Sequence, residues 1–71
     1  MKLTAIIQKE GKSYVALCPE LVIASQGNSK RQARRNLQEA VEGFFETAGK
    51  AEIKSRLAAK SYIENLEVRV A

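Results

Sequence analysis

The sequence contains no histidine, no aspartate and no tryptophan, and Cys18 and Pro19 are its only cysteine and proline. Each absence excludes a class of chemistry. Zinc sites draw on clusters of cysteine and histidine, which one thiol cannot supply. Ser-His-Asp and Cys-His constellations need residue types that are missing here. A disulfide-stapled secreted mini-protein needs paired cysteines, whereas a lone thiol suits a reducing, cytoplasmic setting. No apolar run approaches the roughly 20 residues of a membrane span. Met1-Lys2-Leu3-Thr4 leads into alternation and not into the apolar block of a signal peptide. Nothing in this composition calls for a cofactor, a metal or an enzymatic activity.

What is present fits one small domain of 71 residues with a net charge of +4, its eight acids all glutamate. A core of about 70 residues rarely supplies more than about 3–5 kcal/mol. A homodimer or higher homo-oligomer is therefore expected.

Residues 2–9 place Leu3, Ala5 and Ile7 on one face at period two, the mark of a strand. Gly11 lies in a polar break, and Tyr14–Cys18 reads as a second strand, making an antiparallel hairpin. Pro19 ends that strand, since proline cannot donate to a ladder. Leu21–Gln26 reads as a short third strand starting near Val22, and Gly27-Asn28 turns the chain. Ser29 and Gln32 form a capping box at the start of a helix. Its apolar positions, Ala33, Leu37, Ala40, Val41, Phe44, Phe45 and Ala48, follow a 3.6-residue period, and Gly49 is the expected C-cap. Ile53 and Leu57 suggest a short second helix over 50–59. Leu66, Val68 and Val70 alternate with Glu67 and Arg69 in an expected fourth strand within 61–70. The order β-β-β-α-(short α)-β is an α+β domain, an antiparallel sheet packed on one main helix.

Few residues suggest chemistry. Glu10 and Glu20 lie near strand ends, where a carboxylate pair could hold Mg²⁺ or transfer protons, but solvated turn residues are the plainer reading. Glu46 and Lys50 have the spacing of a helical ion pair. Cys18, without a histidine to activate it, reads as a buried inert thiol. Phe44 and Phe45 match the helix core period, so packing is favoured over base stacking. Tyr14, beside a hairpin loop, and Tyr62 remain open to either role.

One segment breaks a local rule. Lys30, Arg31, Arg34 and Arg35 crowd the first two turns of the main helix, where the helix dipole already places positive charge. Lys30 with Arg34 and Arg31 with Arg35 are also like-charge i,i+4 pairs. Residues 29–35 carry +4, as much as the whole chain. Such a patch is a candidate contact for nucleic acid or an acidic partner, or a solvated face.

Read in order, Tyr14-Val15-Ala16, Cys18-Pro19-Glu20-Leu21, Ser25-Gln26-Gly27 and Asn36-Leu37-Gln38-Glu39-Ala40 resemble the N-terminal domain of HicB-type antitoxins. Ile53-Lys54 and Leu66-Glu67-Val68 continue the likeness over nearly the whole chain. The resemblance implies a partial RNase H-like fold that is not itself catalytic. It also implies a partner, a small HicA-type toxin that cleaves mRNA and whose active site the antitoxin covers. Many family members carry a further DNA-binding domain. With the sequence ending at Ala71, the expectation is a single HicB-like domain over 1–71 without one. The family's helix start is usually acidic, and here it is KRQARR. The expected toxin contacts are the 10–13 hairpin loop and the 19–22 turn. The alternatives are a nucleic-acid-binding module using Lys30, Arg31, Arg34 and Arg35, or an orphan homo-oligomer.

Overall fold

The computed structural model describes residues 1–60 and 62–71. Three strands, β1 (Ile6–Glu10), β2 (Ser13–Cys18) and β3 (Ile23–Gly27), precede two helices, α1 (Lys30–Thr47) and α2 (Lys50–Ala58). The sheet is antiparallel in the order β1-β2-β3. Its register pairs Ile7 with Ala16, and Ala16 with Ser25. The two-residue connection Gly11-Lys12 turns with Gly11 at φ +60, the left-handed backbone that glycine adopts without a Cβ penalty.

Alternation sorts the strands into two faces. Ala16 and Cys18 of β2 are buried with Leu21, Ala33 and Leu37, and Leu3, Ile7, Tyr14, Ile23, Val41, Phe44 and Phe45 pack around them. This is the face that α1 covers. Phe44 and Phe45 meet edge to face, 5.6 Å between ring centres, as the core period requires. The opposite face carries the cross-strand row Ile6, Leu17 and Ala24. Ile6 is exposed and Leu17 half-buried.

Helix α1 begins at Ser29, whose Oγ accepts from the Gln32 backbone N–H at 3.1 Å. The reciprocal half of the expected capping box is displaced by one residue, because the Gln32 side chain accepts from the backbone N–H of Asn28. The helix closes at Ala48 with an extended C-cap, and Gly49, also extended, is the N-cap of α2. Gly49 is thus not the left-handed stop that its position suggested. One consequence follows. Glu46 and Lys50 fall on different helices, and among the described residues the ion pair is Arg56–Glu52 at 3.4 Å. Ala40, expected in the core, is exposed.

Three strand expectations also change, the first strand running over Ile6–Glu10 and not over 2–9, so that Leu3 and Ala5 precede it. The third strand starts at Ile23, two residues later than Leu21, because Leu21 turns inward and is fully buried. The fourth strand is not formed. Ser61 lies outside the described residues, and 62–71 form neither strand nor helix, with every residue exposed. A strand is completed only by a backbone partner, and alternation at Leu66, Val68 and Val70 supplies the face but not that partner. Among the described residues no helix is long and apolar enough to cross a membrane.

Candidate functional site

The turn between β2 and β3, residues 19–22, is held from three directions. Glu20 is gripped by the N-terminal segment: Thr4 donates its backbone N–H to both carboxylate oxygens, at 3.1 and 2.9 Å, and its hydroxyl to Oε2 at 2.6 Å. Leu21 anchors the turn in the core. Arg56 of α2 donates Nη1–H to the Leu21 carbonyl at 2.6 Å, and its guanidinium lies 5.2 Å from the centre of the Phe44 ring. That cation–π contact fixes the arginine over the helix pair.

Val22 is what this bracing presents. Its φ is +54, the left-handed region that a β-branched residue enters only under constraint. Its side chain is 78% exposed. Strained backbone of this kind persists where the surrounding structure over-determines it, and such places concentrate at binding sites. The apolar row Ile6–Leu17–Ala24 lies one register step from the Cys18–Ile23 pair that closes the turn.

The same bracing sets the local acid–base chemistry. The Thr4 hydroxyl, bonded to the carboxylate, holds Glu20 below its ordinary value of 4.5. Burial pushes the Cys18 thiol above its ordinary 9.0, with Glu20 at 3.5 Å adding to the rise. Cys18 is therefore a protonated, buried thiol at neutral pH. A carboxyl lowered in the folded state stabilises the fold fully above its unfolded value and loses that contribution as pH falls through the lower folded value. Glu20→Gln is accordingly expected to lower stability at neutral pH, and to flatten the acid limb of stability as pH falls from neutral through the ordinary 4.5 and below. Thermal melts of both proteins across that range check this; parallel acid limbs would mean that Glu20 does not carry the clamp.

The other sequence candidates separate. Glu10 pairs with Ser13 at the hairpin end of β1, while Glu20 holds Thr4 at the opposite end, so the two carboxylates do not form a pair. Tyr14 packs against the core, and Tyr62 is 76% exposed. Lys30, Arg31, Arg34 and Arg35 are all exposed. At 100° per residue they span an arc of about 140° on α1, with Lys30 at the edge nearest Leu37. Arg34 stands within that arc and lines a groove beside the N-terminal segment.

Thr4, Val22 and Arg56 were not singled out by sequence reasoning. Val22 looks like an ordinary strand residue, yet it follows the buried Leu21 with a φ of +54. Arg56 acts on a carbonyl 35 residues away, which no local pattern encodes. A bracketed signal did exist for the turn itself, in Pro19 followed by Glu20 between two apolar runs. Set against protein-family models, curated proteins and solved structures, the chain has no match.

Proposed function

We propose that the protein is a non-enzymatic, cytoplasmic HicB-like binding module that docks on a small HicA-type mRNA-cleaving toxin and blocks it sterically. The carrying observation is Val22, an exposed apolar side chain held at φ +54 on a turn braced by Thr4, Leu21 and Arg56. A pre-set apolar knob loses little freedom on docking, and this favours protein contact. The row Ile6–Leu17–Ala24, on the sheet face that α1 leaves uncovered, offers further apolar surface. The order of motifs from Tyr14 to Ala40 supports the choice of partner.

The test is a titration of the protein with a HicA-type toxin from the same genome, followed by RNA cleavage. A stoichiometric complex with cleavage suppressed is the expected result, and no binding rejects the reading. Val22→Gly separates docking from folding. Glycine relieves about 1 kcal/mol or more of left-handed strain, so stability should hold or rise. Loss of the knob should weaken the complex about 30-fold, the scale of a hot-spot residue. A variant that is less stable and binds as well as the parent would show that Val22 serves the fold alone.

A second reading has its own observation, the four exposed cations of α1. In it the module binds nucleic acid through phosphate contacts, with a log–log salt slope of about −3 to −4. Reversing Lys30, Arg31, Arg34 and Arg35 to glutamate improves the charge at the helix start, so the variant should fold at least as well. Unchanged RNA and DNA affinity in that variant would eliminate this reading.

A further inference from the structure

We infer that the protein pairs with a second copy of itself by exchanging C-terminal strands, the 66–70 segment of each copy adding to the free edge of β1 in the other. This inference concerns self-assembly and stands apart from the toxin reading.

Four observations converge. First, β1 is an edge strand, so alternate backbone N–H and C=O groups point outward without a strand partner. The other edge, β3, is partly closed, because Asn36 donates its side-chain N–H to the Gln26 carbonyl at 2.8 Å. Second, α1 and the segment 1–5 that leads into β1 leave a groove of about 480 Å³ between them. Leu3, Ala5, Leu37, Val41 and Phe45 line its apolar wall. Lys2, Arg34 and Glu42 add charge of both signs.

Third, the tail supplies what that groove lacks. Leu66, Val68 and Val70 share one face of an extended segment and are 86%, 69% and 87% exposed. A five-residue strand spans about 17 Å, and β1 also has five residues. Glu64, on the same face as Leu66, brings charge opposite to Lys2 and Arg34. Fourth, the tail stands clear of its own body. The radius of gyration is 14.2 Å and the long axis 47 Å, against about 11 Å of radius for a compact chain of this length. A chain with both an open strand site and an exposed strand-forming tail satisfies both at once in a two-fold exchange, the closed symmetry most dimers adopt.

Sedimentation of the full chain from micromolar to submillimolar concentration tests the inference, with Val68→Pro beside it. Proline removes a ladder donor and should weaken the dimer by about 100-fold or more. The expected result is a wild-type dimer and a variant that is monomeric at the same concentration. A wild-type monomer throughout the range overturns the inference, and so does a dimer that Val68→Pro leaves intact. Hydrogen exchange on the wild-type dimer decides the matter independently of any variant's folding. Slowed amides over 66–70 sustain strand exchange; amides there exchanging at free-chain rates overturn it.

Discussion

Gly27→Ala is expected to destabilise the protein by about 3 kcal/mol, at the upper end of overpacking effects. A Cβ at this position would lie 2.6 Å from the Ala33 backbone nitrogen, 2.9 Å from the Gln32 carbonyl carbon and 3.0 Å from the Ala33 Cα. All three are backbone atoms of the first turns of α1, so no side chain can swing aside. Relief requires lifting the start of α1 from β3. That lift strains the Ser29 cap and the Asn36 bond to Gln26 together. Gly27 has no left-handed backbone angle, so the effect isolates the close approach of strand and helix. For a domain of this size the melting temperature should fall by roughly 15 °C. A urea titration showing less than about 1 kcal/mol of loss would contradict the strand–helix contact.

Leu21→Ala is expected to cost about 3 kcal/mol, within the range for emptying a buried leucine site. Leu21 is completely buried although it lies in a turn. Its side chain closes the core between β2 and α1, beside Cys18 and Leu37. Its carbonyl meanwhile receives Arg56, and alanine keeps that carbonyl. The loss therefore measures the side chain and not the latch. Denaturant unfolding checks the magnitude. A loss below about 1 kcal/mol would mean that the turn is not seated in the core.

Much of the fold was legible because it depends on local period. The hairpin followed from alternation around Gly11, and α1 from the spacing of Ala33, Leu37, Val41, Phe44 and Phe45. Ser29 read correctly as its cap. What failed was set by tertiary contact. Leu21 reads as a strand residue, yet it is buried in a turn and Val22 after it has a left-handed angle. Gly49 looks like a helix stop, but the second helix begins so soon that the same glycine caps α2. Leu66, Val68 and Val70 have strand spacing, and spacing does not say which edge, in which copy, completes the ladder. The basic patch was legible residue by residue, since charge needs no folding to be counted. The braced turn was legible only as a place, because Thr4 and Arg56 reach it from 16 and 35 residues away.

Those two reaches impose an order in time. During synthesis the chain emerges amino end first, at about 5–20 residues per second. Thr4 and Glu20 are both available once the hairpin is out, so the first clamp on the turn can close early. Closing the second requires a loop of 35 residues and the arrival of Arg56. α2 contributes no buried residue of its own, so this late contact is also what secures it. The turn thus acquires its final rigidity only once the chain has been made through Arg56, and a nascent fragment ending before Arg56 exposes Val22 on a turn that lacks its second clamp.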